Sequence, residues 1–183
     1  MEKVRGFEIA KGFEDKNINL PERKTKYSAG YDVEAAEDVV IPTFKPGIKP
    51  TLVKTGLKAY CPEDEYYMLV NRSSNPGKKG LVLANSIGIV DSDYYENESN
   101  DGHFMYAYYN FFDHDVQIKK GDVIGQVIFA KYYKVDGDNA EGIRTGGFGS
   151  TNKEDIKFNK ENIKKNGKNF DFYHFLCYNR NGW

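Results

Sequence analysis

Short runs of apolar or alternating residues recur along the chain and are broken by turn residues. Asp115–Ile118 alternates polar and apolar positions, which is the pattern of a half-buried strand. Many short strands without a long helical periodicity predict an all-β barrel or sandwich. The predicted strands are Val4–Ala10, Tyr31–Ala35, Val39–Ile41, Thr51–Tyr60, Tyr66–Val70, Leu81–Ala84, Phe104–Asn110, Val116–Ile118 and Val123–Lys131.

The chain is rich enough in aromatic residues to exclude a disordered protein. Aromatic side chains make up 15% of its 183 residues, enough length for one domain with a proper core. The run Tyr106–Phe112 is too aromatic for the exposed surface of a monomer. It predicts either core strand or a subunit interface.

The composition changes after Thr151. Residues 151–183 carry seven Lys or Arg against four Asp or Glu, although the whole chain has a net charge of −1. We therefore predict a β domain at residues 1–151 and a C-terminal extension of unknown role at residues 152–183. The apolar run Phe170–Tyr178 predicts that this extension is ordered and packs on the β domain or on an adjacent subunit.

The overall charge and the reactive residue types exclude several classes of protein. A balanced charge weighs against a sequence-independent nucleic-acid binder. Two cysteines and three histidines occur without metal-ligand spacing. Because no apolar run approaches the length of a membrane span and the N-terminus lacks a signal-peptide pattern, we predict a cytoplasmic protein with neither membrane nor nucleic-acid partners.

The most informative segment is the glycine-rich run at residues 144–151. Arg144 offers a planar cation suited to phosphate, and Phe148 stands between two glycines with nothing local to pack on. Gly149, Ser150 and Thr151 add backbone N–H groups and hydroxyls. The segment is either an ordinary surface loop or a loop that closes over a phosphorylated, ring-bearing ligand.

Two segments upstream also carry candidate binding groups. Asp32 follows Ala29-Gly30-Tyr31 at a strand start, where it is either a turn residue or a group that orients water around a cation. Arg72, Ser73 and Ser74 leave a strand together. They form either a capped turn or a phosphate-binding loop mouth.

Two further segments complete the set. In the stretch from Asn85 to Tyr94, Asp91 follows an apolar pair and is placed to accept a proton from water, unless the stretch is a simple β-hairpin with an Asp-Ser-Asp turn. Tyr94 could pack flat on a sugar or base. Gln126 interrupts an apolar strand, so its amide needs a partner in the protein or in a ligand.

Together and in this order, the five segments resemble the motifs of the homotrimeric dUTPase family. The match reads A-G-Y-D at 29–32, R-S-S at 72–74, N-S-I-G-I-V-D-S-D-Y at 85–94, G-D-V-I-G-Q at 121–126 and R-T-G-G-F-G-S-T at 144–151. It is similar to the variants of Gram-positive bacteria and their phages. The resemblance implies a β-barrel or jelly roll that exchanges strands in a homotrimer with shared active sites.

The resemblance also implies an activity, the Mg²⁺-dependent hydrolysis of dUTP to dUMP and pyrophosphate. Asp91 matches the carboxylate that activates water for attack on the α-phosphorus, and Tyr94 matches the ring under the deoxyribose. Asn85 and Gly88 belong to the hairpin that pairs with uracil. Asp32 matches a carboxylate that reaches the metal through water, so no direct protein ligand is expected.

The remaining matched residues imply contacts to the phosphates and the base. Phe148 matches the ring that covers uracil. Residues matching the phosphate-binding positions are Arg72, Ser73, Ser74, Gln126, Arg144, Gly149, Ser150 and Thr151.

The chain departs from the family pattern at several places. Glu96 stands where glycine is usual, which predicts a rebuilt turn, with Asn97 as a candidate participant. Val123 replaces a common arginine, and the fifth motif is one residue shorter than usual. Two alternatives also stay open: a dCTP deaminase on the same fold, which the Gly88–Tyr94 pattern disfavours, and a phage-type regulatory protein that binds a repressor.

Overall fold

The computed structural model describes residues 3–142, and these residues form short strands with very little helix. A five-residue helix, α1, spans Asn75–Lys79, and 3-10 turns span Glu14–Lys16 and Ser92–Tyr94. The strands are β1 (Gly6–Ile9), β2 (Tyr31–Glu34), β3 (Val39–Ile41), β4 (Thr51–Lys54), β5 (Leu57–Tyr60), β6 (Glu65–Asn71), β7 (Leu81–Leu83), β8 (Gly88–Asp91), β9 (Met105–Asn110), β10 (Val116–Ile118) and β11 (Val123–Lys131).

Antiparallel pairing of these strands builds two larger sheets and two strand pairs. The larger sheets have the orders β2-β11-β6-β8 and β4-β9-β7, and the pairs are β1-β5 and β3-β10. The core lies on the inner faces of the sheets, where Tyr67, Tyr106, Tyr108 and Phe104 are fully buried among aliphatic side chains. The predicted all-β class is therefore confirmed.

The predicted strand Thr51–Tyr60 is wrong as a single element, because Thr55 and Gly56 divide it. Gly56 has φ +69°, a left-handed conformation in which a side chain would also meet the Phe13 ring. The buried Thr55 hydroxyl donates to the Phe104 carbonyl at 2.6 Å. The chain therefore turns between β4 and β5, and each half joins a different sheet.

The aromatic run at 106–112 is divided between core and surface by strand alternation. Tyr106 and Tyr108 point inward and stack with ring centroids 6.0 Å apart. Tyr109 and Phe111 lie on the opposite face, and Phe44 stacks on Phe111 there at 5.0 Å. The sequence predicted either a core strand or a subunit interface for this run, and the core prediction holds for Tyr106 and Tyr108, which alternate with outward residues.

The connection between β7 and β8 is not a two-stranded hairpin. In the strand ladders β7 pairs with β9, whereas β8 pairs with β6. Residues 84–87 therefore carry the chain from one large sheet to the other. The Asp-Ser-Asp stretch is also not a hairpin turn, because β8 ends at Asp91 and a 3-10 turn follows. Within residues 3–142, no helix is long and apolar enough to cross a membrane.

Candidate active site

Three predicted site residues meet at one end of the four-stranded sheet. The Gln126 amide nitrogen donates to Asp32 Oδ1 at 2.8 Å, and Arg72 Nη2 lies 4.0 Å from Asp32 Oδ2. Asp32 and Gln126 are direct cross-strand partners on β2 and β11, so their side chains share one face. We call Asp32, Arg72 and Gln126 the polar cluster. It combines a cation, a carboxylate and an amide. Asp32 alone of the three also lines a cavity of about 440 Å³, together with Glu22, Lys24 and Glu34 among others.

Gln126 is fixed by hydrogen bonds at its side chain and at its backbone, and Gly30 leaves room for its side chain. Its backbone carbonyl accepts a hydrogen bond from the Tyr106 hydroxyl at 2.7 Å. A Cβ on Gly30 would lie 2.9 Å from the Gln126 amide carbon and oxygen, so only glycine leaves room for this side chain. The sequence motif included Gly30 without revealing this reason, which needs the strand register. The amide that the sequence left without a partner is therefore paired within the protein, with Asp32.

The loop that carries Arg72, Ser73 and Ser74 is fixed by an asparagine that the sequence reading did not select. Asn75 is buried, and its amide donates to Asn71 Oδ1 and to the Ile124 carbonyl, both at 2.7 Å. These bonds tie the start of α1 to β6 and β11. Ser73 is exposed and Ser74 half-buried, so both hydroxyls stand near the surface beside Arg72.

Asp91 lies at the opposite corner of the same sheet. It ends β8 and is the cross-strand partner of Tyr66. Asp91, Tyr66, Ile89 and Tyr132 line an open depression of about 390 Å³, which we call the Asp91 edge. Asp91 is exposed, so its carboxylate is accessible to water, with aromatic and aliphatic side chains beside it. Tyr66 and Tyr132 were not predicted, since only the ladder brings them beside Asp91.

Tyr94 is anchored within the 3-10 turn that follows. Only 6% of the residue is exposed, and its hydroxyl accepts a hydrogen bond from the Asn100 amide at 2.8 Å. The His103 carbonyl accepts from the same amide at 2.9 Å. His103 is itself buried, and its Nε2 accepts from the Gly56 N–H at 3.0 Å. Burial lowers the pKa of His103 to about 4, so its ring is neutral at pH 7.

Asn85 and Gly88 occupy the turn that leads into β8. Asn85 is exposed, and its carbonyl accepts from the Ile87 N–H at 2.6 Å. Ser86 has φ +61°, an uncommon value for a residue with a side chain. Gly88 is buried against Leu69, whose Cβ would lie 3.0 Å from an added Cβ. Gly88 thus permits close packing of β8 on β6, in addition to any contact with a ligand.

The two groups of residues lie far apart within one chain. Gln126 faces Val70 on β6, whereas Asp91 faces Tyr66, four residues further along that strand. Four residues and three strand spacings separate Asp32 from Asp91 by about 20 Å on the same face of the sheet. The polar cluster and Asp91 of one chain are therefore too far apart to contact the same few atoms of a small ligand.

The predicted residues Arg144, Phe148, Gly149, Ser150 and Thr151 lie outside the described residues, as does the extension at 152–183. Among residues 3–142, no group of three or more His, Cys, Asp or Glu is arranged to hold a metal ion. Cys61 is not a reactive nucleophile, because burial raises the pKa of its thiol to about 11.

Comparison with known proteins gives a consistent identification. A family model described as dUTPase matches residues 16–152. The deoxyuridine 5'-triphosphate nucleotidohydrolase of Lactococcus lactis is 48% identical over 151 residues, covering 81% of this chain and 98% of that protein.

The solved structures point the same way. The crystal structure of a dUTPase from Streptococcus mutans is 42% identical, with a TM-score of 0.67, and covers 72% of this chain and 99% of that one. A dUTPase from phage phi11 of S. aureus, a structure described as revealing the coordination of a structural Mg(II) ion, is 21% identical with a TM-score of 0.58, over 76% of this chain and 97% of that one. The predicted dUTPase-like fold is confirmed. This chain belongs to the dUTPase family.

Proposed function

We propose that this chain hydrolyses dUTP to dUMP and pyrophosphate at sites built between protomers of a homotrimer. Family membership and the 48% identity to a deoxyuridine 5'-triphosphate nucleotidohydrolase support the reaction. The separation of the polar cluster from Asp91 supports the sharing of sites. Because about 20 Å divides them on one face of a sheet, a complete site needs Asp91 from one protomer and the polar cluster from another.

In this proposal the polar cluster binds the triphosphate. Arg72 offers N–H donors to phosphate oxygens, and the hydroxyls of Ser73 and Ser74 stand beside it. The amide of Gln126 keeps the Asp32 carboxylate in one orientation. Phosphate binding at this end positions the substrate before any chemistry begins.

A magnesium ion fits this arrangement only through water and substrate. The Asp32 carboxylate has one oxygen bonded to Gln126, and the contact of the other with Arg72 is as long as 4.0 Å, so that oxygen can accept a bond from a metal-bound water. Asp32 would hold the ion in this indirect way. When bound, the ion supplies charge neutralisation on the triphosphate.

Asp91 supplies the base. Its carboxylate orients a water toward the α-phosphorus and takes a proton as the water attacks, while pyrophosphate leaves on the opposite side. Because Asp91 is exposed, water reaches its carboxylate directly, with Tyr66, Ile89 and Tyr132 beside it. The geometry allows this role without a covalent intermediate on the protein.

Selection of the nucleoside falls to the turn and the 3-10 segment around Asp91. The backbone near Asn85 and Gly88 pairs with uracil, and close packing there excludes the thymine methyl group. Tyr94, fixed by Asn100, presents the small exposed part of its ring to the deoxyribose, where a 2′-hydroxyl would clash. Phe148 and the phosphate-binding candidates of residues 144–151 lie outside the described residues and stay predictions from the sequence.

The activity is tested by pyrophosphate release from dUTP, dTTP, UTP and dCTP with Mg²⁺ present. We expect strong preference for dUTP and no turnover after chelation of the metal. Ammonia release from dCTP would instead identify the deaminase that the sequence left open. Comparable turnover of dTTP would contradict the proposal.

The sharing of sites is tested by mixing two inactive variants. Asp91→Asn and Arg72→Ala each disable every site in a pure trimer. In mixed trimers, about a quarter of the sites combine an intact Asp91 from one chain with an intact Arg72 from another. We expect refolded one-to-one mixtures to recover activity on that order. If mixtures stay as inactive as the separate variants, each site lies within one chain.

A further inference from the structure

An ion-pair site around a buried lysine connects β5 to the segment that follows the 3-10 turn after Asp91; the Glu96 side chain in it is 56% exposed and that of Asp101 is 22% exposed. Lys58 has a side chain only 10% exposed, and its Nζ lies 3.1 Å from Glu96 Oε1 and 3.1 Å from Asp101 Oδ2. The ring of Tyr95 lies below the ammonium, with its centroid 5.0 Å away. Two carboxylates and an aromatic face thus converge on one cation, which draws residues 95–101 onto β5.

Both carboxylate residues have a backbone conformation that ordinary residues avoid. Glu96 has φ +54° and Asp101 has φ +60°, both in the left-handed region where glycine is the usual residue. Such a conformation persists only when surrounding contacts compensate for its cost. The bonds from Lys58 to both side chains are contacts of this kind.

The turn that these two residues bound is the one that holds Tyr94. Asn97 donates from its amide to the Tyr94 carbonyl at 2.8 Å, and Asn100 donates to the Tyr94 hydroxyl. Asn97 Oδ1 also accepts from Ser99 and from the Asn100 N–H, so one side chain organises the turn. Asn97 thus takes the part that the sequence suggested for it. The two asparagines lie between the two left-handed residues.

We propose that Lys58 is a positioning residue for sugar selection, which acts on Tyr94 through the two left-handed residues that it pairs with. This inference rests on the proposed contact of Tyr94 with the deoxyribose. Lys58 itself touches no substrate. Its ion pair with Glu96 offsets the cost of the left-handed backbone at position 96, a conformation that glycine adopts without that cost.

The charges explain why a cation is required there. Burial alone lowers the pKa of Lys58, but hydrogen bonds to Glu96 and Asp101 outweigh it and raise the pKa, so the side chain stays charged at all working pH values. Without the ammonium, Glu96 and Asp101 lose the charged partner that they share, and neither side chain is held to β5 by it any longer. The two left-handed residues then lose a contact that offsets their conformational cost.

An exposed ion pair elsewhere on the same domain provides the matched control. Lys119 and Asp38 form a pair at 2.9 Å, with both side chains about 60% exposed. Pairs of that kind contribute little, because water and salt screen them. Lys119→Met therefore removes an ammonium and an ion pair without touching the turn that carries Tyr94.

The experiment measures kcat and KM for dUTP and UTP in the full chain with Mg²⁺. Lys58→Met is expected to lower the preference for dUTP over UTP about tenfold, mainly through a higher kcat/KM for UTP, because a displaced Tyr94 ring no longer clashes with the 2′-hydroxyl. Lys58→Arg should keep most of that preference, since it keeps the charge. Lys119→Met should leave it unchanged. Tyr94→Leu reports the direct contribution of the ring.

The outcomes separate the positioning role from the role of Tyr94. If Tyr94→Leu loses the preference but Lys58→Met keeps it, Lys58 is not a positioning residue and the proposal is overturned. If Tyr94→Leu keeps the preference, Tyr94 does not select the sugar, and both claims fall together. The proposal is supported if Tyr94→Leu and Lys58→Met both lose the preference for dUTP over UTP while Lys58→Arg keeps it.

A second pair of variants tests the backbone argument without altering Lys58. Glu96→Ala removes the ion pair but keeps a Cβ at φ +54°, whereas Glu96→Gly removes both the ion pair and the steric cost. We expect the alanine variant to lose sugar preference about threefold more than the glycine variant. If Glu96→Ala and Glu96→Gly lose the same sugar preference, Lys58 does not compensate for a backbone cost at position 96 and the proposal is overturned. This test stands even if Lys58→Met fails to fold.

Discussion

The polar cluster and the Asp91 edge lie on the same face of one sheet and differ in how they are prepared for a ligand. Asp32, Arg72 and Gln126 are arranged by contacts within their own chain, through a cross-strand hydrogen bond and a nearby cation. Asp91 stands in an open depression with Tyr66, Ile89 and Tyr132. The polar cluster is thus arranged by contacts within one chain, whereas the surface beside Asp91, the proposed base, is open and exposed.

This difference predicts which substitutions alter substrate binding and which alter the catalytic step. Changes in the polar cluster disturb internal hydrogen bonds, so they are expected to alter substrate binding. A change at Asp91 removes a chemical group from the edge, so it is expected to alter the catalytic step. The following predictions test this division, starting with the largest effect.

Asp91→Asn is expected to lower kcat by about 10²–10⁴, because an amide holds water but does not take its proton at neutral pH. Binding of a nonhydrolysable dUTP analogue should stay close to that of the unsubstituted chain. Steady-state kinetics and calorimetry measure the two effects. Asp38→Asn, an exposed carboxylate paired with Lys119, is the control. A near-normal kcat would mean that another residue is the base.

Acid should loosen the Asp91 side of the sheet through His103. The pKa of His103 is about 4 in the fold, against 6.5 in an unfolded chain, so the unfolded state binds more protons between these values. The free energy of unfolding should therefore decrease, and the fold lose stability, by roughly 3 kcal/mol as the pH drops from above 6.5 to about 4.

Urea unfolding between pH 7.5 and pH 4.5 measures this change, with His103→Gln as the reference that lacks the titrating ring. The free energy of unfolding is compared across pH in both proteins. The difference between the two slopes isolates the contribution of His103 from that of the acidic residues, which also titrate in this range. The same slope in both proteins would show that His103 is not responsible. Amide exchange should rise first at residues 94–103.

Gly30→Ala should disturb only the polar cluster. The new Cβ would lie 2.9 Å from the Gln126 amide, which must swing away and release Asp32. We expect KM for dUTP to rise about tenfold, equivalent to roughly 1.4 kcal/mol, with little change in melting temperature. Gly77→Ala is the control, because a Cβ there meets no atom within 4 Å. A loss of stability without a change in KM would contradict this prediction.

Tyr67→Phe should have the smallest effect and should leave both ends of the sheet intact. Tyr67 lies in the core on β6, the strand between the two regions, and its buried hydroxyl has no hydrogen-bond partner among residues 3–142. Removing it should change stability by no more than about 1 kcal/mol, in the stabilising direction. Thermal unfolding measures this, and clear destabilisation would reveal a partner for the hydroxyl.

The sequence predicted the bounds of three strands as the structure has them, Val39–Ile41, Val116–Ile118 and Val123–Lys131. Polar and turn residues next to these apolar segments, such as Pro42 and residues 119–122, mark where they end or begin. The break at Gly56 was missed, since its cause is contact with Phe13, distant in sequence. Strand β8 was hidden for a similar reason: its pairing with β6 is not visible in its own residues.

The sequence also indicated most of the candidate site, but not the distances within it. It named Asp32, Arg72 and Gln126, and their proximity depends on the register of β2, β11 and β6. It named Asp91 without Tyr66, which only the ladder places alongside. At Glu96 the sequence predicted a rebuilt turn with Asn97 as a candidate participant; Glu96 instead keeps a left-handed φ of +54°, and Asn97 forms hydrogen bonds within the turn. Lys58 is a residue of another strand, β5, that no local pattern connects to the turn.

The sheet that keeps Asp91 away from Asp32 has a consequence for how activity depends on the amount of protein. Under the proposed sharing, a dissociated chain has both halves of a site and no complete one. Specific activity should then fall when the enzyme is diluted below its assembly constant, and more steeply than in proportion to concentration. A cell that makes little of this chain would thus have almost none of its activity, so expression level would act as a threshold for dUTP removal.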